Sequence, residues 1–130
     1  MRPEHGELLE EVRPARRVLV VDDHPSFRRC ARALLTDEGF DVVGEAEDGA
    51  TAVSLAGELA PDFVLLDIQL PDVDGFEVAS RLLARDPGLD VVLVSSRERT
   101  AYGSLIEQSG ARGFVSKADL SGAALEVLLE

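Results

Sequence analysis

With 130 residues the chain has room for one domain, and its 45% apolar content is enough for a buried core. Acidic residues number 25 against 13 basic ones, a net charge of -12, which argues against a protein that grips nucleic acid by itself and suits a binder of divalent cations. A single cysteine excludes an internal disulfide and the usual zinc spacings, and no apolar run is long enough for a membrane span or signal peptide, so a cytoplasmic home is expected.

Residues 1–16 hold Pro3 and Pro14 among many charges, with Leu8, Leu9 and Val12 as the apolar exceptions. They are expected to be an N-terminal extension, disordered or a short helix packed outside a domain that occupies 17–130. The first apolar run, Val18 to Val21, predicts a buried strand that ends in two adjacent acids, Asp22 and Asp23. Phe27, Cys30, Ala31, Leu34 and Leu35 then recur at helical spacing up to a stop at Gly39, with Cys30 read as a small residue facing the core. A short run at 42–43 leads to Glu45, Glu47 and the turn-and-start pair Asp48-Gly49. The second helix carries Ala52, Val53, Ala56, Leu59 and Ala60 and is closed by Pro61.

The third run, 63–66, ends in Asp67, and a helix with Phe76, Ala79, Leu82 and Leu83 follows, closed by Pro87 and Gly88. The fourth run, 91–94, ends in Ser95 and Ser96. A helix with Tyr102, Leu105 and Ile106 then stops at Gly110. A short fifth run at 114–115 precedes Lys117, and a last helix starts near Leu120 with Ala124, Val127 and Leu128.

Five strands alternating with five helices predict an α/β fold, a doubly wound five-stranded parallel sheet of flavodoxin-like (βα)5 form. Runs that are apolar on both faces, such as FVLL and VVLV, suit a sheet covered on both sides. Ligands of such sheets sit beyond the C-terminal strand ends. Asp22, Asp23, Asp67, Ser95 and Lys117 are therefore expected on one rim. Three carboxylates so close repel one another, by about 4 kcal/mol per pair at 4 Å and an effective dielectric of 20. They call for a hard cation with oxygen ligands, which Mg2+ fits, and with Lys117 and a serine hydroxyl they would cradle a phosphoryl group. The plainer readings are that Asp22 and Asp23 cap the helix starting at Pro25, that Lys117 is a solvated rim lysine, and that His24 is a partly exposed loop residue with metal ligation a lesser role.

The succession VDD, LLDIQLPDVDG, VSS and GARGFVSK resembles the receiver domain of two-component response regulators, most like receivers joined to LuxR-type helix-turn-helix output domains. The resemblance covers about residues 17–128. It implies that Asp67 is the phosphoacceptor, attacking the phosphorus of a phosphohistidine. It implies Mg2+ ligation by Asp23 and Asp67 directly, by Asp22 largely through water, and by the backbone carbonyl of Gln69. Ser95 and Lys117 would each hold a phosphoryl oxygen, Pro71 and Gly75 would shape the loop after the acceptor, and Gln69 and Ser96 would tune hydrolysis. Phe114 occupies the aromatic switch position paired with Ser95, without the hydroxyl a tyrosine would bring. Leu70 replaces the usual methionine and Ala118 the frequent proline after Lys117, which leaves that peptide's isomer open.

The partners the resemblance implies are a sensor histidine kinase or a histidine phosphotransfer protein, docking on the first helix and the loop after Lys117. A homodimer through the fourth helix, fifth strand and fifth helix is a further expectation, with no nucleic acid contacted by this chain itself and no membrane. The chain ends in ALEVLLE, within the last helix, so it is either a stand-alone receiver or one cut from a transcriptional regulator. Two other readings stand beside this one. A phosphatase of the haloacid-dehalogenase type would want its nucleophile after the first strand in a DxD arrangement and a cap domain. A receiver-fold interaction module working without phosphate would have no need of Asp67 and Lys117.

Overall fold

A computed structural model describes residues 14–130; the expected extension lies almost wholly outside the described residues. Five strands, β1 (Arg17–Val21), β2 (Asp41–Ala46), β3 (Phe63–Asp67), β4 (Asp90–Ser95) and β5 (Gly113–Ser116), form one parallel sheet in the order β2-β1-β3-β4-β5. Between and after them lie α1 (Pro25–Asp37), α2 (Gly49–Leu59), α3 (Gly75–Arg85), α4 (Leu105–Gln108) and α5 (Gly122–Leu129).

The pleat alternates side chains between two cores. Val18, Val20, Phe63, Leu65, Val92 and Val94 point to one face, covered by Ala31 and Leu35 of α1 and Leu125 and Leu129 of α5. Leu19, Val21, Val64, Leu66, Val91 and Leu93 point to the other, covered by Ala52 of α2, Val78, Ala79 and Leu82 of α3, and Ile106 of α4. The central strands β1, β3 and β4 are sealed on both faces, as their unbroken apolar runs require. Burying each such Val or Leu side chain contributes about 1.5–3 kcal/mol.

Local chemistry sets the helix ends. Pro25 opens α1 at a position where its missing N–H costs nothing. The side chains of Asp48, Asp74 and Ser121 accept from the N–H groups of Thr51, Glu77 and Ala124, capping α2, α3 and α5. Gly39, at φ 95°, takes the left-handed turn that leads α1 into β2.

Two expectations are corrected. Cys30 is exposed rather than core-facing. The buried stripe of α1 runs through Ala31 and Leu35 with Phe27 and Leu34 beside it, and at 100° per residue Cys30 falls on its solvent flank. The fourth helix is much shorter than its apolar spacing suggests. A 3-10 turn over Arg99–Tyr102 is separated from the single α-turn of α4 by Gly103, whose φ of 59° and ψ of -129° no helix accommodates.

Candidate functional site

The sheet order reverses between β1 and β3. From β1 the chain crosses to β2 on one side and then returns past β1 to β3 on the other, so that α1 after β1 and α3 after β3 lie on opposite faces. This opens a crevice at the C-terminal ends of β1 and β3. Asp22 is the first residue past β1 and Asp67 the last of β3, so the crevice floor is acidic.

Asp22 is fully buried. Its N–H continues the sheet by donating to Ala46, its Oδ1 accepts from the backbone N–H of His24 at 2.8 Å, and its carbonyl accepts from the Arg28 guanidinium at 2.7 Å. Lys117 reaches in from the turn after β5, placing Nζ 2.6 Å from Asp22 Oδ2 and 3.8 Å from Asp67 Oδ2. The contact with Asp22 is an ion pair whose angles fall short of a hydrogen bond. The lysine side chain is only 17% exposed, which rules out a freely solvated rim lysine. Its ammonium lies 4.3 Å from the centroid of Phe27, whose ring offers it a negative face. The Lys117–Ala118 peptide is trans.

Asp67 is 2% exposed, and its Oδ1 accepts from Gln69 N–H at 3.3 Å. Burial, with the Asp22 carboxylate beside it, raises the Asp67 carboxyl from 3.8 to about 7, although the Lys117 ammonium and the Gln69 N–H pull the other way. Asp23 completes the group. Its Oδ1 is shut off from solvent and has no hydrogen-bond partner, while His24 Nδ1 lies 3.1 Å from it in poor hydrogen-bonding geometry and 3.1 Å from Asp22 Oδ1. Ligand atoms of Asp22, Asp23, His24 and Asp67 all fall within 4.8 Å of one another. An orphaned carboxylate oxygen facing two further acids is the donor set a hard divalent cation requires, so these residues fit Mg2+. Capping is not what Asp23 does: His24 is the N-cap of α1, without a side-chain hydrogen bond. Glu45 stays out of the cluster, held by Arg28 at 3.2 Å and Arg32 at 2.6 Å, and Glu47 is exposed.

The loop after Asp67 is drawn tight. Gly75 N–H donates to the Ile68 carbonyl at 2.7 Å, and a Cβ on Gly75 would sit 2.5 Å from the Asp67 carbonyl oxygen. Asp72 anchors the loop's far side by accepting from Gly49 N–H at 2.9 Å and Ala50 N–H at 3.1 Å, bonds that hold its carboxyl below the ordinary value. Pro71 and Gln69 lie on the exposed part of this loop. Ser95 is fully buried at the end of β4, one residue past the Val94 that pairs with Asp67. Ser96 is exposed, and Phe114, half-buried in β5, pairs with Leu93.

The sequence reading did not assign Phe27, Arg28, Asp72 or Tyr102 to the site. The first three carry only general signals, an aromatic at core spacing and charged residues near turns. Tyr102 had one available signal, as the chain's only tyrosine, a few residues beyond Ser95.

Together, sheet and crevice define a doubly wound domain that gathers three carboxylates and one ammonium at its switch point. The chain belongs to the response regulator receiver domain family, whose pattern matches residues 18–126. A putative transcriptional regulator of Pseudomonas aeruginosa is 41% identical over 101 residues, covering 78% of this chain and 49% of that protein. Response regulator GacA of the same organism is 39% identical over 115 residues, covering 88% of this chain and 52% of the relative. This chain thus spans about half the length of the curated relatives it matches. Among solved structures, the receiver domain of the response regulator NarL from Mycobacterium tuberculosis superposes with a TM-score of 0.78 at 36% identity, covering 90% of this chain and 98% of that one. A LuxR-family response regulator from Aurantimonas gives a TM-score of 0.80 at 30% identity, covering 89% of this chain and 86% of that one. Receiver domains in general bind Mg2+, take their signal from histidine kinases or phosphotransfer proteins, and are not enzymes in their own right. Among the described residues no helix is long and apolar enough to cross a membrane.

Proposed function

We propose that this chain is a phosphorylatable switch in which Asp67 accepts a phosphoryl group from a phosphohistidine of a sensor kinase or phosphotransfer protein. A carboxylate oxygen of Asp67 attacks phosphorus. The bond from phosphorus to the donor's imidazole nitrogen breaks, and the imidazole leaves with the electron pair. Asp23, Asp67 and the Gln69 carbonyl would hold Mg2+, with Asp22 acting through water. When bound, the cation supplies positive charge that offsets the oxyanion gathering among the acids. Lys117 exchanges part of its ion pair with Asp22 for a phosphoryl oxygen, Ser95 donates a hydrogen bond to another, and the tight loop from Gln69 through Pro71 to Gly75 fixes the acceptor's direction. Later attack by water at phosphorus returns Asp67 to a carboxylate, with Gln69 and Ser96 placed to tune that step.

One observation carries the reading: the ammonium of Lys117 lies between two buried carboxylates, 2.6 Å from Asp22 and 3.8 Å from Asp67. A packing role would need one acid at most. The second acid, raised to about 7 by its surroundings, is an unfavourable group that function explains and stability does not.

Docking of the kinase is assigned to α1 with the turn after Lys117, and output to the side built by α4, β5 and α5. There an open groove of about 470 Å3 is lined by Glu98, Phe114, Ser116, Val127 and Leu128, with Val127 66% exposed. Phe114 flanks both this groove and the ring of Tyr102, so its burial is the quantity that phosphorylation would alter. The output is a homodimer contact on this side, coupled to transcriptional control through the LuxR-type output domain that the sequence resemblance implies. The test is intact mass after incubation with acetyl phosphate and Mg2+. The wild-type chain should gain one phosphoryl group, and Asp67→Asn, with an unchanged circular dichroism spectrum, should gain none. Equal uptake by the variant would overturn the assignment, and no uptake by the wild type would favour a module that works without phosphate.

A further inference from the structure

The Ser95 hydroxyl is sealed from solvent and has two polar neighbours. Arg97 N–H donates to it at 3.0 Å, and the Tyr102 hydroxyl lies 2.6 Å away. A serine oxygen has one proton to give and two lone pairs with which to accept. Arg97 occupies one lone pair. With Tyr102 donating into the second, the Ser95 proton is free to point elsewhere; with Ser95 donating to Tyr102, that proton is engaged. Only the first arrangement can serve an oxyanion on Asp67.

We infer that Tyr102 is a positioning residue for the phosphoryl group: its hydroxyl donates to Ser95 when Asp67 is occupied, directing the Ser95 proton to the oxyanion. This inference rests on the proposed role of Asp67. Donation in series strengthens each member, because the oxygen that accepts from Tyr102 becomes a better donor. The surroundings give the exchange a mechanical output. The Tyr102 ring packs edge-on against Phe76 of α3, at 5.8 Å and 70°, and tilted against Phe114 of β5, at 6.1 Å and 57°. Tyr102 ends the 3-10 turn, and Gly103, at φ 59°, disconnects that turn from α4. A small pull on Ser95 is therefore passed to the turn and to Phe114 without bending a helix. Phe114 brings no hydroxyl of its own, and the aromatic hydroxyl at this place comes from Tyr102.

The composition offers a direct readout, since the chain has one tyrosine and no tryptophan. Tyrosine emission reports this hydroxyl alone. The experiment adds Mg2+ and beryllofluoride, a mimic of the aspartyl phosphate, to the full chain, with fluorine NMR measuring occupancy independently. Wild-type emission should change in step with occupancy. Tyr102→Phe keeps the ring and should stay folded, yet bind beryllofluoride roughly fivefold more weakly, the worth of one neutral hydrogen bond. Ser95→Ala should also weaken binding, and adding Tyr102→Phe to it should cost nothing more, because the two act through one interaction. Full occupancy without an emission change, wild-type affinity in Tyr102→Phe, or additive losses in the double variant would each overturn the inference while leaving Asp67 as acceptor. An absent fluorine signal for bound beryllofluoride in the wild type would bring down the proposed function and this inference together.

Discussion

Asp67 is poorly placed for stability. Its carboxyl titrates near 7 in the folded chain against 3.8 when unfolded, because burial and Asp22 together outweigh Lys117. Between those values the folded state keeps a proton that the unfolded chain has released. The contribution of Asp67 to folding is therefore greatest below about pH 4, loses ground as pH rises towards 7, and levels off above. With divalent metal chelated, the stability of the wild type relative to Asp67→Asn in urea unfolding should fall across that window by up to about 1.4 kcal/mol per pH unit at its steepest. Asp67→Asn should remove this component and be the more stable protein at neutral pH. Parallel curves for the two proteins would show that Asp67 titrates normally. The same residue scale marks where sequence reading succeeds and fails. Asp22, Asp23, Asp67 and Lys117 are legible because each ends a strand or lies within two residues of its end, and strand ends on one side of a parallel sheet must meet. Phe27 and Tyr102 are not, because an aromatic at core spacing looks the same whether its ring faces methyl groups or an ammonium or hydroxyl partner.

The five apolar runs forecast the five strands to within a few residues, most firmly for β1, β3 and β4, where burial on both faces leaves little else for such runs to do. Helices were harder. The spacing in α1 admits a stripe wide enough to include Cys30, and only packing on β1 and β2 decides which flank is wet. In the fourth helix three apolar residues at helical spacing were outweighed by Gly103, a break whose backbone angles spacing cannot reveal. The β3–α3 loop is the element on which acceptor geometry depends most. Its close approach at Gly75 leaves no room for a side chain: an added Cβ would lie 2.5 Å from the Asp67 carbonyl oxygen and 2.6 Å from the Ile68 Cα, both backbone atoms that cannot turn aside. Gly75→Ala should therefore destabilise the chain by about 1–3 kcal/mol in thermal or urea unfolding and slow acetyl phosphate uptake. A variant with wild-type stability and uptake would show that the loop relaxes freely.

At the scale of the molecule, an acidic chain of net charge -12 draws cations to a crevice that gathers Asp22, Asp23 and Asp67. If Mg2+ binds the folded arrangement and not the unfolded chain, as proposed, at a concentration one hundred times its Kd it should raise stability by about 2.7 kcal/mol. Asp23→Asn removes a carboxylate with an oxygen that has neither a hydrogen bond nor an ammonium partner, and should lose most of that gain while unfolding as cooperatively as the wild type. A full Mg2+ effect in the variant would move the cation elsewhere. The central claim concerns one oxygen–phosphorus bond, and borohydride reduction tests it most directly, because an acyl phosphate is reduced to homoserine where an ordinary carboxylate is not. After treatment with acetyl phosphate and Mg2+, tandem mass spectrometry should find homoserine at position 67, and chelation of the metal should prevent it. Conversion at Asp22 or Asp23 instead, or conversion at Asp67 that proceeds equally well without Mg2+, would contradict the account.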